Sequence, residues 1–214
     1  MLGLPASTEF NRVIRKQTLY NNIKPSPALK RLFIDQVHTI YWRNKIAVTT
    51  ANLQPGKEVE EVEVFEIQLK QAGLDETILK TLDKSIPYHV LYILSHESRE
   101  QAWIGYKETG AAGTPKTSRY FHTGWMPAGT LPLSLEGLTL DDVYENFVRQ
   151  IAGDALVKAN TLRDSIQRTE QERKLKRKIE LLEAKIRREK QFNVQVKLNE
   201  ELQRIKKQWR DYHE

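Results

Sequence analysis

Apolar residues set the first rhythm of the chain. Between Ser7 and Asn22, Phe10, Val13, Ile14 and Leu19 recur at roughly helical intervals and predict a first helix. The prolines of "NNIKPSP" (21–27) end it. Ser26 followed by Pro27 has the form of a helix start, a capping hydroxyl and then proline at the first helical position. Leu29, Leu32, Phe33, Val37, Ile40 and Tyr41 then share one face, which predicts a second helix to about Arg43. "KIAVTTANL" (45–53) is rich in β-branched residues and reads as a strand ended by the turn "QPGKE".

The rhythm then shifts to period two. "EVEEVEVFEIQLK" (58–70) places Val62 and Val64 and, after a shift at Phe65, Ile67 and Leu69 on alternate positions, as expected of a strand with one buried face. "GLDETILKTLDKSIP" (73–87) predicts a short helix stopped by Pro87. "YHVLYILSH" (88–96) is a central strand by its apolar density, "ESRE" a hairpin turn, and "QAWIGYKE" (101–108) the return strand. "TGAAGTPKT" (109–117) is a loop, and "SRYFHTGWM" (118–126) completes an antiparallel meander. After a proline- and glycine-rich connection, Thr139 with Asp142 three residues later forms a capping box. The helix it starts carries Val143, Phe147, Val148 and Ile151 on its apolar side.

Beyond Gly153 there is neither proline nor glycine over 61 residues. As one helix this segment would span about 90 Å, so it either projects or folds back. Leu175, Ile179, Leu182 and Ile186 are spaced four, three, four, and Leu198, Leu202, Ile205, Trp209 and Tyr212 repeat that spacing. The 12 residues from Ile186 to Leu198 break the seven-residue register, which puts a bend or hairpin near Asn193 or rotates the seam. Each run is too short for a free-standing coiled coil and needs a covering surface. That surface is the other half of the segment, the body, a second copy or a different protein. The expected fold is α+β: a mixed or antiparallel sheet of about five strands covered by helices, followed by a long basic C-terminal coiled-coil arm. Its expected parts are a head (1–138), a connecting helix (139–156) and the arm (157–214).

Charge sharpens this picture. The chain has 34 Lys and Arg against 28 Asp and Glu. From Lys158 onward 17 basic residues stand against 10 acidic ones, while the residues before it hold 17 and 18. A near-neutral body therefore carries a basic extension, which suggests an anionic partner. Lys174, Lys176, Arg177, Lys178, Arg187 and Arg188 are candidate phosphate contacts, with a solvated helix face as the plainer reading. The absence of cysteine excludes disulfides, zinc–thiolate sites and cysteine nucleophiles. Without a signal-peptide pattern or an apolar run of membrane length, a cytoplasmic protein without membrane contact is expected.

Chemistry is thinly represented. A restriction-type nuclease needs an acid on one strand and E-x-K on the next to hold a divalent metal. Glu66-Ile67-Gln68 is the nearest match, with Lys70 on the same face, but "IAVTTANL" supplies no acid. An amphipathic strand with a polar outer face is the plainer reading. His89, His96 and His122 lack tight ligand spacing. No phosphate-binding glycine loop or serine elbow is present, and no cofactor or metal site is expected. Tyr88, Tyr92, Trp103, Tyr106, Tyr120, Phe121 and Trp125 could stack bases, yet alternation splits them across both faces, as core packing would.

"IPYHVLYIL", "QAWIGYKE", "YFHTGWM", "LEGLTLDDVYENFVRQIAG" and "REKQFNVQVKLNEEL", in this order, resemble a bacterial family of proteins classed as a domain of unknown function. The likeness runs over nearly the whole chain. It implies a gene neighbourhood of large ATP-dependent helicases and DNA methyltransferases, of the kind found in restriction-modification and antiviral-defence clusters, and it supplies no catalytic residue. The combined expectation is a non-catalytic accessory subunit of a helicase-centred DNA complex. It would dock through Leu175, Ile179, Leu182, Ile186, Val194, Leu198, Leu202, Ile205 and Trp209. A divergent metal-dependent nuclease around Glu66 and Gln68, and a coiled-coil homodimer, are the alternatives.

Overall fold

The computed structural model describes residues 3–109 and 115–211. Tyr212 and most of the loop expected over 109–117 lie outside them. The chain divides into two compact units, Met1–Gly153 and Asp154–Glu214.

In the first unit the order is β1 (Glu9–Ile14), α1 (Lys16–Ile23), α2 (Pro27–Gln36), β2 (Val37–Ile46), β3 (Val62–Leu69), α3 (Glu76–Ser85), β4 (His89–His96), β5 (Arg99–Thr109), β6 (Pro115–His122), β7 (Met126–Pro127) and α4 (Leu140–Ala152). The strands form one sheet in the order β1-β2-β3-β4-β5-β6, with β7 beside β5. Neighbours are antiparallel except β3 and β4, which run parallel because α3 carries the chain across.

Two expected helices are corrected. The segment 7–22 is helical only from Lys16, because Glu9–Ile14 pairs with Ile40–Asn44 as an edge strand. Its bulge lies between Glu9 and Arg12, where Asn11 has φ 45°. The helix expected to reach Arg43 ends at Gln36. From Val37 the β-branched and aromatic run of Val37, Thr39, Ile40, Tyr41 and Trp42 pairs with Leu69–Phe65 instead. Residues 47–53, expected as a strand, form turns in which Thr50 Oγ1 accepts from Ala47 N (3.0 Å) and donates to Lys45 O (2.6 Å). The sheet accordingly has seven strands rather than about five.

The helix ends follow local chemistry. Ser26 Oγ accepts from Leu29 N with Pro27 behind it, and Asp75 caps α3 through Thr77 N (2.8 Å). Thr139 and Asp142 complete their capping box at α4.

β3 is buried on both faces, not on one. Phe65 and Ile67 join Phe33, Ile40, Ile78, Leu79, Tyr92 and Leu94 in the core under α1–α3. Each such fully buried large apolar side chain contributes about 2 kcal/mol. Val62, Val64, Leu91 and Ile104 point to the opposite side, where α4 packs on β5 and β6 through Val143, Phe147, Val148 and Ile151. Helix 140–152, expected as a connector, therefore belongs to the first unit. Tyr144 fixes it by donating to Gly105 O (2.7 Å) and accepting from Lys107 N (3.1 Å).

The second unit is a helical hairpin of α5 (Leu162–Arg188) and α6 (Phe192–Asp211). Among the readings open for this segment, the structure takes the folded-back one. The turn falls where the heptad register is lost: Glu189 leaves the helix, and its carboxylate accepts from Lys190 N and Gln191 N (2.8 Å each). Leu175, Leu182, Leu202 and Ile205 are buried together, flanked by Ile179, Ile186, Leu198 and Trp209. Glu183 and Lys206 bridge the helices at 2.7 Å, an exposed pair that solvent screens and that adds little stability.

Candidate functional site

Alternation along β3 puts Glu66 and Gln68 on the side of the sheet opposite the α1–α3 core. Across the ladders Glu66 faces Tyr41 and Ile93, while Gln68 faces Thr39 and Ser95. On β2 the register slips between Trp42 and Asn44, so Arg43 is the extra residue of a bulge. Arg43 and Asn44 consequently reach the same cleft, of about 350 Å³, together with Asn11, Glu66 and Glu100.

Glu66 is held from several directions. Arg43 donates to its Oε2 through Nε (2.7 Å) and Nη2 (2.6 Å), a charge-assisted fork. Oε1 accepts from Ser95 Oγ (2.8 Å) and Gln68 Nε2 (3.4 Å). The guanidinium also reaches Asn11 Oδ1 (3.2 Å) and lies over the Tyr41 ring at 4.2 Å. Glu66 and Gln68 thus meet as the sequence indicates, but Lys70 does not join them. It follows the end of β3 and donates to Ile34 O at the end of α2 (2.6 Å), on the other side of the sheet. Arg43 occupies the place on the neighbouring strand where a metal site needs its second acid. A cation there neutralises Glu66 and competes with any divalent ion. Sequence spacing missed Arg43 because its strand was read as helix, and missed Ser95 because only pairing brings it beside Glu66.

The histidines do not converge. His89 and His96 stand at opposite ends of β4. His89 packs on Tyr144 (ring centroids 4.3 Å), where burial and the Lys107 charge push it down to about 4. His122 stacks on Trp103 at 4.4 Å. Among the described residues no group of three His, Asp or Glu side chains could hold a metal ion. The aromatics divide as alternation requires. Tyr92, Trp103, Tyr120 and Trp125 pack with the α1–α3 core, and Phe121, whose neighbour Tyr120 faces that core, is buried on the other side.

A cluster that the sequence did not announce lies between α3 and the sheet. Asp83 accepts from Tyr92 OH (2.9 Å), from Thr117 Oγ1 (3.1 Å) and from Tyr120 OH. Burial pushes the Asp83 carboxyl up, and the Tyr120 hydroxyl, the Lys107 charge, Tyr92 and Thr117 oppose that shift. Gly105 leaves the space this requires: a Cβ there would sit 2.7 Å from Thr117 Cγ2 and 3.0 Å from Asp83 Oδ2. The cluster ties α3 to β4 and β6.

On the hairpin, the residues expected to anchor a partner cover one another. Leu175, Leu182, Leu202 and Ile205 are at most 7% exposed, and only Val194 among the expected anchors lies outside the seam cluster. Lys174, Lys176, Arg177, Lys178, Arg187 and Arg188 are all exposed. So are three apolar residues that heptad spacing leaves off the seam: Leu181 (56%), Val196 (40%) and Phe192 (75%), the last directly after the turn. Among the described residues no helix is long and apolar enough to cross a membrane.

Comparison with curated proteins and with solved structures returned no match. The family described as "Domain of unknown function (DUF4391)" matches residues 2–209, nearly the full length that carries the cleft, the sheet and the hairpin, and the chain belongs to that family.

Proposed function

We propose that the chain is a non-catalytic accessory subunit of a helicase-centred bacterial DNA complex, of the restriction or phage-defence type, and that it docks through its C-terminal hairpin. The observation carrying this reading is the hairpin's division of labour. Its seam closes on itself, and its outer surface keeps rows of exposed basic residues and an aromatic at the turn. A preformed hairpin loses little conformational entropy on docking. Phe192, two residues after Lys190 and one helical turn before Val196, has the character of an interface anchor. The docking residues are then Phe192, Leu181 and Val196 rather than the seam. The basic residues make a secondary, salt-dependent contact with DNA phosphate. The helicase partner rests only on the gene neighbourhood that the family resemblance implies.

The test is copurification with the neighbour-encoded helicase. The double variant Phe192→Ser, Leu181→Ser should lose the partner while keeping its helical circular dichroism, because both side chains are exposed. Retained copurification would sink the reading.

One observation favours a second reading, a divergent nuclease: Glu66, Gln68 and Ser95 converge on an open cleft. Incubation with plasmid DNA and magnesium or manganese tests it, and cleavage that survives Glu66→Ala would remove the site from consideration. The Arg43 clasp on Glu66 favours a recognition surface over a metal centre.

A further inference from the structure

On the helical side of the sheet lies a second cavity of about 350 Å³, walled by Leu19 of α1, Ile40 and Trp42 of β2, Phe65 of β3, Leu82 of α3 and Ile86. Its volume is that of a small-molecule site, and its wall is largely apolar. One charged side chain enters that wall. Glu63 is 2% exposed, and its Oε2 accepts from Trp42 Nε1.

The charges around Glu63 do not balance. Glu61, just ahead of β3, and Glu63 within it stand two residues apart and meet through their side chains. The bulge at Arg43 turns Lys45 towards them: after the slip Lys45 faces Glu63 across the ladder. Lys45 pairs with Glu61 Oε1 at 2.8 Å. Glu61 Oε2 is buried and meets no donor besides the Glu63 carboxyl, which bonds Glu61 when it carries a proton. Two carboxyls therefore share one ammonium. Burial, then the Glu61 carboxyl, push Glu63 up to about 7, against the pull of Trp42 and Lys45. In the free chain a proton held between Glu63 and Glu61 supplies the missing positive charge, and an ammonium in the cavity would supply it in the proton's place.

We infer that this cavity binds a small organic cation, an ammonium joined to an aromatic or branched alkyl body, with the body between α1 and α3 and the nitrogen on Glu63. The cavity lies on the opposite side of the sheet from Glu66 and does not depend on the docking function proposed above.

The probes are benzylamine and its neutral counterpart benzyl alcohol, titrated into the purified full chain and followed by calorimetry and by the shifts of Ile40 and Ile86 methyl groups in NMR. Benzylamine should bind about tenfold or more tightly than benzyl alcohol, the size of one hydrogen bond to a charged group. Glu63→Gln keeps the shape of the side chain and should bring the two probes to the same affinity. Thr18→Trp, at an exposed position on the rim, should block both without changing the melting temperature. Equal binding of the two probes to the wild-type chain, absence of benzylamine binding, or a preference that survives Glu63→Gln overturns the assignment. So does unaltered benzylamine binding in Thr18→Trp, which would place the ligand elsewhere.

Discussion

Removing the Asp83 carboxylate should expose how the sheet and α3 are joined. Asp83→Ala deletes the acceptor for three hydroxyls. Tyr92 is fully buried, so its hydroxyl would be left in the core without a partner, at a cost of about 1–3 kcal/mol. Tyr120 and Thr117 are partly exposed and can turn to water, which holds their loss to about 0.5–1.5 kcal/mol each. The expected total is about 2–6 kcal/mol, a large share of the 5–15 kcal/mol typical of a domain. Tyr92→Phe alone should cost about 1 kcal/mol. If the two groups depend on each other, the double variant Asp83→Ala, Tyr92→Phe should be more stable than the sum of the single losses by about 1–2 kcal/mol, because the orphaned hydroxyl is gone. Urea unfolding followed by tryptophan fluorescence measures all four chains, and an unchanged slope confirms comparable unfolded states. Strict additivity to within about 0.5 kcal/mol would refute the claim that Asp83 and Tyr92 act as a unit.

Gly105→Ala should destabilise the first unit by about 1–3 kcal/mol, read as a lowered urea midpoint, because the new methyl group collides with Thr117 and Asp83. Glu63 sets a pH dependence. Its folded-state value of about 7 lies above the ordinary 4.5, so the folded chain keeps a proton that the unfolded chain releases. The associated stability is present below about pH 4.5 and is lost as pH rises through 7. Urea midpoints across this range should fall more steeply for the wild-type chain than for Glu63→Gln. Leu202→Ala should cost about 2–4 kcal/mol, more than a two-helix hairpin readily spares, and hydrogen exchange should show lost amide protection along α6.

Much of this architecture is legible in the residues, and the failures have physical causes. Ser26-Pro27, Thr139 with Asp142, the meander from Tyr88 and the break in heptad register each act through local chemistry, and the structure follows them. The segment from Pro27 to Ile46 misleads because Val37, Ile40 and Tyr41 continue the helical stripe of Leu29, Leu32 and Phe33 by coincidence of spacing. Pairing with β3 outweighs that stripe, and the β-branched and aromatic composition after Gln36 was the available warning. The helical stripe runs to about Arg43 and so hides the place of Arg43 beside Glu66, while Lys45 falls in the expected strand 45–53 but gains its register against Glu63 only after the bulge. The bulge that turns both has no local signature in the sequence. Asp83 escaped notice for a related reason: its partners Tyr92, Thr117 and Tyr120 are distant in sequence and meet it only through the sheet. In the hairpin, both apolar runs were visible. Spacing alone could not say whether each would cover the other or a separate molecule.

The seam of the hairpin also has a consequence in time. α5 presents Leu175 and Leu182 to a surface that does not exist until α6 has been made. Until α6 folds back, α5 holds an uncovered apolar strip flanked by exposed cations, so the two helices gain their burial together.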